Sequence, residues 1–153
     1  MTPEALVAAL GIYAGTFAVG AISAVFPLAS IEVFLVGLAF VRGVDPASAT
    51  ALVACAAAGQ LAGKLPIYSA ARGLGSLQEV RVARLRAWLG RFANAPQLVL
   101  ATSAVLGLPP FSIMATAAGV LAVRIRAFAA IVFAGRALRF AILIAIAAAY
   151  ANH

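Results

Sequence analysis

The chain has 153 residues, of which 65% are hydrophobic and 10% charged, with a mean hydropathy of +1.11. A soluble domain is nearer half apolar and a quarter charged, so this composition excludes an ordinary water-soluble fold and predicts an all-α integral membrane protein. The formal charge is +7, from 11 basic and 4 acidic residues. The basic residues lie between hydrophobic segments, which points to membrane orientation and anionic lipid rather than to nucleic acid.

At roughly 20 apolar residues per span, the length allows about four spans, or fewer spans with re-entrant hairpins. No basic region precedes the first apolar run, MTPEALVAAL, so a cleaved signal peptide is not expected. Residues 3–25 predict one apolar helix with Pro3 at a favoured helix start. Gly11, Gly15 and Gly20 leave small faces for close packing, and Gly11 and Gly15 form a small-xxx-small pattern, which serves either ordinary helix packing or contact between copies in a homo-oligomer. Pro27 ends this helix, and residues 30–41 predict a second one of about 18 Å at standard rise. That is short of a hydrocarbon core of roughly 30 Å, so it reads as a half-helix whose non-helical start is buried in protein or lines a wet cavity. After the polar turn Arg42-Gly43-Val44-Asp45-Pro46, a long helix is expected over 46–73, ended by Gly73 and Gly75.

Residues 76–94 change character. Leu85, Trp88, Leu89 and Phe92 follow one helical face, with Arg81, Arg84, Arg86 and Arg91 around them. A basic amphipathic helix with an aromatic face reads as lying in the membrane interface; a plain linker helix is the alternative. Residues 96–108 form a second short apolar limb, broken by Pro109 and Pro110, and 111–123 predict a second half-helix. Arg124 and Arg126 mark a turn before a last helix over 127–150.

Laid over itself, the chain repeats. Pro27–Arg42 reads PLASIEVFLVGLAFVR and Pro109–Arg124 reads PPFSIMATAAGVLAVR; Pro, Ser, Ile, Gly, Val and Arg coincide at a constant offset of 82 residues. This predicts a single membrane domain over 1–153: repeat 1 at about 3–73, the amphipathic helix at 76–94, and repeat 2 at about 95–150. Each repeat is a re-entrant hairpin followed by a transmembrane helix, although residues 3–25 fit either a hairpin limb or a full span. The arginine-rich side is expected to be cytoplasmic. One full span between the hairpins makes them enter from opposite faces, an inverted repeat, and paired broken helices mark a transporter's binding site.

Ionisable residues inside a membrane are functional candidates because lipid makes them costly. Glu32 lies near the start of the first half-helix, with Ser30 placed to cap it. It fits a coupling-proton site or a substrate contact; a solvated N-terminal glutamate is the plain alternative. In the repeat alignment it faces Met114, so the acid belongs to one hairpin only. Arg136 and Arg139, three apart on the last helix, are expected near mid-membrane. They fit a phosphate ligand or a structural pairing with Glu32. Lys64 fits either a site role or snorkelling towards the cytoplasmic end. Ser112, beside the second break, and Thr102 and Ser103 are expected to satisfy backbone groups. Cys55 is the single cysteine and His153 the single histidine, so neither a disulfide, a metal site, a cofactor site nor a catalytic triad is expected, and the chain does not read as an enzyme.

These residues resemble the DedA superfamily, or VTT-domain proteins, in its short YqaA-like branch. The carrying stretches are FPLASIEVFLVGLAF (Phe26–Phe40), GQLAGKLPIYSAARGLG (Gly59–Gly75), and Ala87–Phe140 with its LGLPPFS break and GRALRF end. The resemblance implies two oppositely oriented re-entrant hairpins, each followed by a spanning helix. It also implies a bacterial-type inner (plasma) membrane, Glu32 as the acid of the first re-entrant loop, and movement of phospholipid or undecaprenyl phosphate linked to proton motive force. The chain departs from the family where arginines often flank the second hairpin's proline, near Leu106 and Ser112, and where an aspartate often stands at Lys64. Arg136 and Arg139 are the residues able to replace those arginines.

The leading expectation is therefore a lipid translocase, flippase- or scramblase-like, that holds a phosphate headgroup and has a candidate coupling proton on Glu32. The alternatives are a proton-coupled exporter of small cationic compounds, with Glu32 as proton and cation site, and a non-transporting membrane scaffold.

Overall fold

The computed structural model describes residues 3–26, 30–42, 45–75, 83, 96–106 and 111–151. They form six helices, with no strand among the described residues: α1 Pro3–Val25, α2 Ile31–Arg42, α3 Pro46–Gly75, α4 Pro96–Leu106, α5 Phe111–Val120 and α6 Ile125–Ala151. Two stretches are long and apolar enough to cross a membrane, Pro46–Gly73 and Ile125–Tyr150. The helices expected from the hydrophobic runs are all present. The breaks at Pro27, Pro109 and Pro110 lie outside the described residues, as does the amphipathic segment 76–94 apart from Ala83.

The helices divide into two compact units, Met1–Gly63 with Ala137–His153, and Lys64–Arg136. The first contains α1, α2, the start of α3 and the end of α6. The second contains α4, α5, the start of α6 and the end of α3. Each unit thus has a pair of consecutive helices, the start of the long helix that follows them, and the end of the other long helix.

In the first unit the core is made by Ile31 and Leu35 of α2, Leu52, Ala56 and Ala57 of α3, and Phe140 and Ile144 of α6. The spacing of four residues at Ile31/Leu35, Leu52/Ala56 and Phe140/Ile144 is that of a single helical face. Ile12, Tyr13 and Val19 of α1 pack against this core. α1 and α3 meet through glycine. A methyl group on Gly20 would stand 2.8 Å from the Ala56 carbonyl, and one on Gly63 2.5 Å from the Ala21 carbonyl, while one on Gly59 would run into the Phe17 carbonyl. Only glycine lets two backbones approach this closely, as at helix contacts in membranes. The close contact therefore falls at Gly20, Gly59 and Gly63. Open space surrounds Gly11 and Gly15, which were expected to supply packing faces. Across the same contact Gln60 Nε2 donates to Ser23 Oγ at 2.7 Å, and the Ser23 hydroxyl donates to the Gly20 carbonyl at 2.9 Å. The nearly buried amide of Gln60 is thereby satisfied where water is scarce.

The second unit is built around Tyr68 of α3, which is 1% exposed. Its ring stacks on Phe128 of α6, with centroids 4.5 Å apart. Its hydroxyl donates to the carbonyl of Val123, and Arg72 Nη1 donates to that hydroxyl at 3.0 Å. Gly119 packs directly on the Tyr68 carbonyl, and Gly135 on Ala104.

α5 stops at Val120, three residues before the expected end. Ala122 takes φ 52°, the Val123 amide donates to the Ala118 carbonyl at 3.0 Å, and the Ala122 amide to the Gly119 carbonyl at 2.9 Å. This is a Schellman cap with alanine where glycine is usual. The left-handed conformation costs an L-residue roughly 1 kcal/mol, so Ala122→Gly is expected to raise stability by about that amount, read as an increase in melting temperature in detergent.

α3 begins with Asp45, whose Oδ2 accepts the amides of Ala47 and Ser48 at 3.1 Å each. The Ser48 hydroxyl and amide, with the Ala47 amide, hold the Asp45 carboxyl below the ordinary aspartate pKa. A folded-state pKa that is lowered contributes stability above the unfolded pKa, and that contribution is lost as pH falls through the folded value. Asp45→Asn keeps a capping oxygen and removes the titration. Melts between neutral pH and pH below the ordinary value of 3.8 are expected to show a smaller acid-dependent loss in Asp45→Asn than in the wild type.

Candidate functional site

Ser30 precedes the first turn of α2 and accepts the Val33 amide on its Oγ at 3.4 Å, so the expected cap is present. Ile31 and Leu35 are fixed in the core at 2% and 1% exposure, which turns Glu32, one residue further round the helix, towards the rim of the unit. The open N-terminal amides of α2 favour its negative charge. On α6 the same logic acts on Arg139. Phe140 is buried in the core, and Arg139 beside it points to the rim.

The two rim residues meet. Arg139 Nε donates to Glu32 Oε1 at 2.7 Å, joining positions 107 residues apart in sequence. The side chains are 25% and 32% exposed, a half-buried ion pair. Charge-assisted bonds of this length are among the stronger interactions a protein makes, more so where few waters compete. An open cavity of about 360 Å³ is lined by Glu32, Val33, Val36 and Gly37, so the carboxylate side of the pair faces accessible space. The site offers a carboxylate and a guanidinium, already matched, on two helices of one unit.

Arg136, one turn before Arg139 on α6, falls in the second unit, where it is 9% exposed. Lys64 is in that same unit at 3% exposure and within electrostatic reach of the Arg136 guanidinium. Burial also overturns the expectation that Lys64 snorkels to an interface: its side chain is enclosed by protein. Ser112 falls in the first turn of α5. Ser103 is fully buried. Among the described residues no group of three or more His, Cys, Asp and Glu is placed to hold a metal ion.

Two arrangements were not anticipated. One is the Gln60–Ser23 bond. The other is the clamp of Tyr68, Arg72 and Val123. The second carried a faint signal, since Tyr68 and Arg72 are spaced i, i+4 at the end of a spanning helix.

No protein-family model, no curated protein and no solved structure matches this chain. The functional reading accordingly stands on the residues and their geometry.

A double-mutant cycle measures the pair. Glu32→Gln and Arg139→Ala are each expected to destabilise the protein. The coupling between them should be about 1–3 kcal/mol by denaturant titration in detergent, as for hydrogen bonds between charged groups. A coupling near zero would show that the two side chains do not act together.

Proposed function

We propose that the protein is a membrane lipid translocase in which two re-entrant hairpins, related as an inverted repeat, handle a phosphate headgroup while the acyl chains stay in lipid. The observation that carries this reading is the Glu32–Arg139 ion pair, which ties the short helix α2 to the apolar helix α6. α2 has 12 residues and α5 has 10, so neither reaches across a hydrocarbon core at standard rise. Short helices of this kind are stable in a bilayer only when their ends meet protein or water. The matching set of helices in the two units supports the repeat, and the resemblance to VTT-domain proteins supports the substrate class.

In this mechanism Arg139 is the headgroup contact, because guanidinium forks a phosphate as readily as a carboxylate. Glu32 holds the guanidinium in place when no headgroup is bound, and the open cavity beside Glu32 gives the route of approach. Lys64 and Arg136 add positive charge in the second unit. Export of a small cation by Glu32 is less well supported, since Glu32 is already engaged by a guanidinium.

Reconstituted liposomes carrying a labelled phospholipid test the reading through headgroup accessibility to a membrane-impermeant quencher. Wild-type protein should speed exchange between leaflets well above protein-free vesicles. Arg139→Ala should slow it by at least about tenfold, the loss expected for about 1.4 kcal/mol of headgroup contact. Exchange at equal rates in wild type, Glu32→Gln and Arg139→Ala would sink the assigned site.

A further inference from the structure

The clamp around Tyr68 brings the end of α3, with Arg72, to the backbone just before Arg124 and Arg126, some fifty residues later in sequence. Arg72 is in the last turn of α3, and its Nη1 is held on the Tyr68 hydroxyl at 3.0 Å. That hydroxyl is in turn bonded to the Val123 carbonyl. The Arg72 guanidinium is therefore one hydroxyl away from the backbone that leads directly into Arg124 and Arg126. All three arginines are exposed. Like charges gathered at one place repel, and a fold keeps them there only when something answers them. The unit cannot do so itself, because residues 64–136 contain nine basic residues and one acid, Glu79.

We propose that Arg72, Arg124 and Arg126 form a binding site for the headgroup of an anionic phospholipid at one membrane interface. Both apolar stretches end here, one closing at Gly73 and the other opening at Ile125, so the cluster sits at headgroup depth when they span the bilayer. Ile125, between two of the arginines, is 47% exposed. A phospholipid meets both features, its phosphate on the guanidiniums and its acyl chain on the isoleucine, whereas a free anion meets only the first. Arginine suits the role better than lysine because its planar fork grips two phosphate oxygens at once. Tyr68 is a positioning residue: it holds Arg72 in the cluster without touching lipid. The site lies in the second unit and stands whether or not Glu32 and Arg139 carry transport.

The test uses the full-length protein in nanodiscs of phosphatidylcholine, alone or with one phosphatidylglycerol for every two phosphatidylcholines, and reads the melting temperature. Phosphatidylglycerol should raise the melting temperature of the wild type, and added salt should shrink the increment. Each basic residue near an anionic surface is worth about fivefold in affinity, so Arg124→Gln with Arg126→Gln should weaken half-saturation by phosphatidylglycerol about 25-fold in a micelle titration. That pair leaves the Arg72–Tyr68 bond intact, and its melting temperature in pure phosphatidylcholine should match the wild type. Tyr68→Phe should weaken the lipid response by less than the arginine pair does, by releasing Arg72 alone. An equal increment in wild type and the arginine pair overturns the site. So does an equal increment from inorganic phosphate in phosphatidylcholine nanodiscs, which would mark a free-anion site.

Discussion

A guanidinium beside an apolar helix needs an answering group, and in the first unit Glu32 supplies it to Arg139. The bond at 2.7 Å constrains more than two side chains. It fixes the rotation of α2, which must present Glu32 to the rim while Ile31 and Leu35 enter the core. It fixes α6 likewise, with Phe140 and Ile144 inward and Arg139 outward. Apolar packing alone would hold these helices loosely in rotation, because one alanine- or leucine-rich face resembles another when the surroundings are also apolar. The ion pair removes that ambiguity.

The same requirement is met differently at each other polar group. Gln60 reaches Ser23, and Ser23 closes onto the Gly20 carbonyl, so an amide and a hydroxyl share one contact made tight by glycine. Tyr68 satisfies its hydroxyl on the Val123 carbonyl, just past the capped end of α5, and takes a second bond from Arg72. Gln60 and Ser23 thus find a neutral side chain and a backbone oxygen, which cost less to enclose than a charge, while the Tyr68 hydroxyl joins a backbone oxygen to the exposed Arg72. Lys64 and Arg136 are buried basic residues of the second unit.

Much of this was legible in the sequence, for physical reasons that differ by element. The helices follow from apolar runs bounded by proline and glycine, and α1 begins and ends where Pro3 and Phe26-Pro27 imply. Ser30 and Glu32 form a recognisable helix start, and the importance of Glu32 followed from an acid in an apolar helix. The end of α5 was not legible because alanine occupies the left-handed cap position, where glycine would have announced the stop. Gly20 was legible as a packing glycine along with Gly11 and Gly15. Which glycines meet another helix within the chain depends on tertiary placement, and that selected Gly20 with Gly59 and Gly63. Arg136 and Arg139 were grouped by their spacing of three on one helix, and both lie on α6.

The repeat makes the chemical inequality of the two halves informative. At the offset of 82 residues Glu32 corresponds to Met114, which is 3% exposed in α5. The acid that orients Arg139 in the first unit thus has an apolar counterpart in the second, where positive charge accumulates. The first unit holds two basic and three acidic residues, close to balance, while the second holds nine basic residues and one acid. A near-neutral unit with an internal ion pair can be complete without a bilayer's charge. Charge repulsion is therefore greater within the second unit than within the first, so an anionic surrounding would stabilise the second unit more.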